Sequence, residues 1–361
     1  MASALFIAIL IASFAIFYRL SVKLDVNKVV YNHRPGVCRE IFGPVDGSED
    51  IEIIQSEGLV FVTSGVVCWN GKCPPGKIFL YDIKQNSATA KELKITGNKL
   101  DLANFFPHGL THWRMPNGII RLYLLNHNTK FEHSVEIFDF DSKGMSLIHK
   151  RTIKDEALIR PNGIVAAGPD QFFHTNDGTA QSVVLNSLQI LAGWKAGSVF
   201  YYDGKKFHNI LDGKGSANGI AYDIERRKLF VTMITDRTVD VYDISQDRLS
   251  AKEISRFPVY SGCDNLVLDA DGSLYTGCHP IMYLAARHIK NCSNEEVNAP
   301  SQILRLRFDD SYKNAAITEI YSNDGSEISA SSVGAVYRNK LIIGSVCRNL
   351  LECDIVAPSV L

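Results

Sequence analysis

One unit recurs along this chain of 361 residues and narrows the folds open to it. It is a polar pair, a short apolar strand, a turn rich in Gly, Asp, Asn or Arg, and a second apolar strand. Copies run "EDIEIIQSEGLVFVTSG" from Glu49, "PHGLTHWRMPNGIIRLYLL" from Pro107 and "PNGIVAAGPDQFFHTND" from Pro161. They continue with "ANGIAYDIERRKLFVTM" from Ala217, "DNLVLDADGSLYTGCHP" from Asp264 and a weaker "SSVGAVYRNKLIIGSV" from Ser331. The period of about 55 residues is longer than that of helical repeats and near that of the larger propeller repeats. Segments between copies, such as "GSVFYYD" and "TVDVYDI", bring each unit to about four strands. The expectation is an all-β chain, a six-bladed β-propeller formed as one domain over residues 24–361.

Helix is scarce in this pattern. One or two accessory helices are expected beside the blades, and Val184, Leu188 and Leu191 at helical spacing, with Trp194 near the same face, place one of them. That helix either packs on the propeller or lies over a channel mouth with its apolar face toward membrane or substrate. Residues 1–23 stand apart, being apolar up to Arg19. They read as an anchor helix or uncleaved signal peptide, with Ser13-Phe14-Ala15 as the alternative cleavage site. Arg19 and Lys23 follow the span, which favours a cytoplasmic body. Eight cysteines without zinc spacing argue the opposite, an oxidising lumen or exterior. The sequon at Asn291 suits that side, as a glycosylation site. A net charge of −1 gives no reason to expect nucleic acid as partner.

Oxygen-bearing residues such as Asp264-Asn265 are poor strand starters. In a propeller, however, equivalent positions of the innermost strands meet around the central channel. Glu49, Asn162, Asn218, Asp264 and Asn265 would then supply five oxygen ligands with two negative charges, a set suited to Ca²⁺. The plainer alternative is a ring that only satisfies turn backbones. His108 enters the same ring, where it could act as a general base on water, and His127 ends an adjacent strand. No nucleophile elbow, HExxH motif, P-loop or GxGxxG is present.

With "GSEDIEI", "FPHGLT", "LLNH", "HTNDG", "ANGI", "DNLVLD", "GCHP" and cysteines near both ends, the chain resembles the paraoxonase/arylesterase family. These are six-bladed propellers that hydrolyse lactones and esters with calcium. The resemblance places Glu49, Asn162, Asn218, Asp264 and Asn265 on the family's catalytic calcium. His108 and His127 fall on its histidine dyad, and Cys38 and Cys353 on the disulfide that closes the ring. Cys278 matches a cysteine that is normally free, and Asp177 a residue that could pass the proton outward. Three departures stand out. The family's second calcium uses the equivalents of Asp50, the Leu110 carbonyl and an Asp where this chain has Gly163. Ser216 replaces a pocket-wall aromatic, and "VVCWNGKCPPG" differs from the family's active-site loop, with Cys68 and Cys73 able to staple it. The resemblance implies a calcium-dependent lactonase or arylesterase acting on a small-molecule lactone or ester. It would be held to a membrane, or secreted with a retained leader, on the extracellular or endoplasmic-reticulum lumenal side. The competing expectation is a paraoxonase-like protein that assists the assembly of membrane-protein partners.

Overall fold

In the computed structural model, which describes residues 2–70, 74–97 and 100–356, six sheets, antiparallel except for one added strand, account for nearly all regular structure. Their innermost strands are Ile51–Ile54, Phe106–Arg114, Pro161–Gly168, Ala217–Asp223, Gly262–Leu268 and Ser331–Tyr337. Each coincides with one copy of the sequence unit, so the six-bladed propeller is the fold. Five blades have four strands. The second has a fifth, Lys94–Thr96, added parallel to Ser146–Ile153.

Ring closure joins the chain ends. The outermost strand of the last blade is Cys38–Ile41, paired with Leu350–Asp354 so that Cys38 lies opposite Cys353. Those two cysteines form a disulfide across a sequence separation of 315. Restricting so long a loop in the unfolded chain stabilises the closed ring by about 6 kcal/mol. Beside the seam, Glu352 is buried between the Tyr81 hydroxyl at 2.6 Å and the Arg39 guanidinium at 2.9 Å. The core lies between blades, where aromatic and aliphatic side chains of adjacent sheets interdigitate. Phe61 of the first blade meets Phe140 of the second edge to face at 5.0 Å.

Among the described residues three α-helices lie outside the blades: α1 (Ala2–Leu24), α2 (Val183–Ala192) and α3 (Met282–Ile289). α2 is the helix placed from the sequence, and α3 is a second accessory helix. The end of α1 docks on the others. Lys23 Nζ donates to the Leu191 carbonyl at 2.9 Å, at the negative end of α2. Arg237 donates to the Lys23 carbonyl at 2.7 Å and pairs at 2.8 Å with buried Asp25. Within α1, residues Leu5–Leu24 have a mean hydropathy of 2.2 and none is buried. The stripe on α2 does not pack on the propeller either: Leu188 is 56% exposed and Trp194 67%.

Two further disulfides are Cys263–Cys278 and Cys292–Cys347. The first corrects the expectation that Cys278 is free. Cys263 and Cys278 face each other directly on the two inner strands of the fifth blade, close enough to bridge. Cys73 lies outside the described residues, so its pairing with Cys68 does too.

Candidate functional site

The polar pairs occupy breaks in the sheet ladders. Register shifts fall between Pro107 and Leu110, Pro161 and Ile164, Ala217 and Ile220, Cys263 and Leu266, and Ser331 and Val333. A bulge frees residues from strand pairing and re-aims their side chains. Short polar residues here therefore cost the sheet little. Hydroxyls on the second strand of the blade hold the freed backbone. Thr232 Oγ1 accepts from the Gly219 N–H at 2.7 Å and donates to the Asp264 carbonyl at 2.8 Å. Thr175 does the same between Gly163 and Asn218, and Thr63 accepts from the Asp50 N–H at 3.1 Å.

Neighbouring inner strands touch at these points. A Cβ added at Gly219 would sit 2.2 Å from the Asp264 carbonyl oxygen, and one at Gly163 2.6 Å from that of Asn218. The glycine after Asn218 or Asn162 is thus what lets one blade approach the next. At the closure of this ring, Asn265 Nδ2 donates to Glu49 Oε1 at 2.9 Å, and Ser332 Oγ donates to the Glu49 carbonyl at 2.6 Å.

Four oxygens in this zone are buried with no hydrogen-bond partner: Glu49 Oε2, Asn162 Oδ1, Asn218 Oδ1 and Asp264 Oδ1. Each unmatched acceptor costs on the order of 1–3 kcal/mol in a closed interior. The ring is therefore not one that merely satisfies turn backbones. Burial, with Glu49 nearby, raises the pKa of Asp264 despite its 3.2 Å contact with His279 Nε2. Two amides and two carboxylates with free lone pairs fit a hard, oxygen-seeking cation. Among the described residues no three His, Cys, Asp or Glu side chains form a metal cluster without the amides.

Asp50 and Leu110 do come together, but as acceptor and N–H donor. Asp50 Oδ2 accepts from the Leu110 N–H and Oδ1 from the Ile51 N–H, both at 2.9 Å. Burial, then repulsion by Glu49, holds its pKa well above the ordinary value. Each oxygen thus already holds one N–H, and a Cβ at Gly163 would meet the Asn218 carbonyl oxygen at 2.6 Å, so a second cation would find one carboxylate here rather than two. Asp50, Gly163 and Asn265 line a cavity of about 590 Å³ whose lining does not include Glu49, His108 or Asp264.

His108 and His127 are in direct contact, His108 Nδ1 lying 2.7 Å from His127 Nε2. The other nitrogen of His108 is 3.3 Å from Glu49 Oε1. Burial alone would lower the pKa of His108, but Glu49, with Asp264 and Asp177 behind it, leaves it raised. Burial, then His108, His133 and Arg160, pushes that of His127 well down. The Asp177 carboxylate is paired with Arg160 Nε at 2.7 Å. Ser216 is buried at φ 55°, a left-handed conformation in the turn before the fourth inner strand. Asn291 is exposed, at the end of α3.

The sequence reading missed His133. Its Nδ1 lies 2.6 Å from His127 Nδ1, making a row of three imidazoles. The signal was present: a hairpin turning over Asn128–Glu132 sets residues 127 and 133 opposite each other. His279 was likewise quoted only as part of a motif, with no partner assigned.

Comparison with known proteins agrees with this fold. Solved structures with similar folds include a luciferin-regenerating enzyme (TM-score 0.56, 14% identity, 88% of this chain and 95% of that one). A gluconolactonase from Xanthomonas campestris is similar as well (TM-score 0.53, 13% identity, 88% and 89%). Among curated proteins, serum paraoxonase/lactonase 3 of Oryctolagus cuniculus is 33% identical over 88% of this chain and 89% of its own. Serum paraoxonase/arylesterase 2 of Gallus gallus is 32% identical over 93% of both, and serum paraoxonase/arylesterase 1 of Homo sapiens 30% identical over 88% of both. The Arylesterase family model matches residues 30–355, and the chain belongs to the paraoxonase/arylesterase family.

Proposed function

We propose that this protein is a calcium-dependent hydrolase of lactones and aryl esters. The observation that carries the reading is the set of four orphaned, buried oxygens on Glu49, Asn162, Asn218 and Asp264 beside a histidine with a second histidine behind it. Those four side chains, with Asn265, would hold Ca²⁺, which when bound would polarise a substrate carbonyl and stabilise developing negative charge. The names of the relatives, arylesterase and lactonase, support the same chemistry.

The chain's own residues supply the proton handling. His108 Nε2 takes a proton from water, whose oxygen attacks the carbonyl carbon. The C–O bond of the ester or lactone then breaks, and the same proton passes to the departing alkoxide or phenoxide. His127, kept neutral by burial, accepts a hydrogen bond from His108 Nδ1–H and so stabilises the charged imidazole. Asn265 orients Glu49, and His279 orients Asp264.

Turnover of a panel of aliphatic and aromatic lactones and phenyl acetate, with and without chelator, tests this. Calcium-restorable activity that falls by about 10²–10⁴ in His108→Gln is expected. Full activity in that variant refutes the base, and full activity in chelator refutes the metal. A membrane-anchored assembly role is the second reading, favoured by the uncovered apolar surfaces of α1 and α2. A protein that binds calcium but hydrolyses nothing in the panel would point there. Localisation outside the cytoplasm is part of either reading, supported by the disulfides.

A further inference from the structure

We infer that His133 is a positioning residue for hydrolysis, acting as the terminal acceptor of a three-imidazole chain that leaves the outer nitrogen of His108 free to take a proton. The inference rests on the hydrolytic reading above, and its geometry is independent of it. The chain runs from His108 Nδ1 to His127 Nε2 at 2.7 Å and from His127 Nδ1 to His133 Nδ1 at 2.6 Å. His127 and His133 are each about 7% exposed, so water does not substitute freely at either junction.

A neutral imidazole has one N–H and one lone pair. His127 is bonded at both nitrogens, so it must donate through one and accept through the other. The two hydrogen bonds therefore point the same way, and the whole row has only two neutral arrangements. In the first, His108 carries its proton on Nδ1 and donates to His127 Nε2. His127 then donates from Nδ1 to His133 Nδ1, and the His133 proton sits on Nε2. Only this arrangement leaves His108 Nε2 unprotonated and able to act as a base. In the second every proton is reversed, and His108 Nε2 carries an N–H toward Glu49 Oε1, 3.3 Å away.

Glu49 favours the second arrangement and the His133 lone pair favours the first. Remove that lone pair, and the base-competent arrangement buries the His127 Nδ1–H without an acceptor. The environment keeps His133 fit for this role. Burial, then Arg160 and His108, lowers its pKa to about 4, so it stays neutral with a lone pair to offer. Its ring is set edge to face against Phe131 at 4.7 Å, and Phe131 is in turn capped by the Arg160 guanidinium at 4.9 Å. The Ile159 backbone also hydrogen-bonds to the ring, and His133 lines a polar cavity of about 280 Å³ with Asn128, Glu132 and Glu136.

The test compares wild type, His133→Phe and His133→Asn in calcium-containing buffer. Asn places an amide oxygen near the position of Nδ1, while Phe offers no acceptor. For phenyl acetate, His133→Phe is expected to lower kcat about tenfold with KM unchanged, and His133→Asn to restore most of it. Long-range ¹H–¹⁵N spectra of the wild type should show the His127 proton on Nδ1, a readout that needs no turnover. A His127 proton on Nε2 overturns the inference. So does kcat within twofold of wild type for His133→Phe, or His133→Asn as slow as His133→Phe. Should the wild type hydrolyse no ester or lactone, the hydrolytic reading fails while the ¹⁵N spectra still decide the direction of the chain. Should His133→Phe not fold, His133→Asn and the wild-type spectra decide it.

Discussion

Replacing Cys263 and Cys278 together by alanine separates two roles of one disulfide. The bridge spans a sequence separation of 15, and both cysteines are buried in the core between the fourth and fifth blades. Loop restriction of that size contributes about 3 kcal/mol. With unfolding entropy of about 2.1 cal/mol/K per residue, a cooperative unit of this length should lose about 4 °C in Tm. The second role comes from position. Cys263 precedes Asp264, and Cys278 precedes His279, whose Nε2 is 3.2 Å from Asp264 Oδ2. Loss of the bridge therefore loosens both sides of one proposed calcium ligand, and the rise in Tm on adding calcium should shrink. The comparison variant lacks Cys292 and Cys347, whose separation is 55 and whose loop contribution is about 4 kcal/mol. Calorimetry with and without excess calcium reads both effects. By loop length alone, the comparison variant melts lower, yet it should keep the full calcium shift. The reasoning is refuted if the Cys263/Cys278 variant melts within 1 °C of wild type, or if both variants lose the calcium shift equally.

Gly219→Ala forces a Cβ to within 2.2 Å of the Asp264 carbonyl, so it should destabilise by about 1–3 kcal/mol in urea titrations and weaken calcium binding. Glu49→Gln keeps the shape but removes one of two ligand charges; calorimetric titration should show calcium affinity at least about tenfold weaker. Fully buried His174 donates from Nε2 to the Ala157 carbonyl at 3.2 Å, and burial lowers its pKa from 6.5 to about 4. The unfolded chain takes up that proton first, so the His174 contribution is intact above pH 6.5 and lost as pH falls toward 4. That amounts to about 3 kcal/mol, and His174→Phe should flatten this part of the stability–pH curve.

The propeller was legible because its blades repeat. Six copies of one pattern reinforce one another where each alone is an ambiguous apolar run, and all six first strands lie where the repeat puts them. What escaped were features that occur once. The added strand Lys94–Thr96 has no counterpart in other blades. The position of α3 was missed because it has only eight residues, of which it buries Ala285 and His288. Cysteine spacing did not reveal Cys263–Cys278, because its geometry belongs to strand register: two residues 15 apart become neighbours only once the hairpin turn is fixed at Asp271-Gly272.

The site shows the same division more sharply. The residues that would bind an ion were readable because equivalent positions of a ring converge by symmetry, whatever the loops do. The direction of proton movement was not readable, because it depends on contacts within a single blade. His127 and His133 meet through one hairpin, and the tautomer at His108 follows from a lone pair two rings away. Gly163 illustrates the converse. In the sequence it marks a missing carboxylate, but in the structure it is the point where the third inner strand touches the fourth. An aspartate there would have to displace the Asn218 backbone, and with it one of the four orphaned oxygens. The missing ligand of a second cation site and the tight packing of the first are therefore one feature, and Gly163→Asp should weaken calcium binding rather than add an ion.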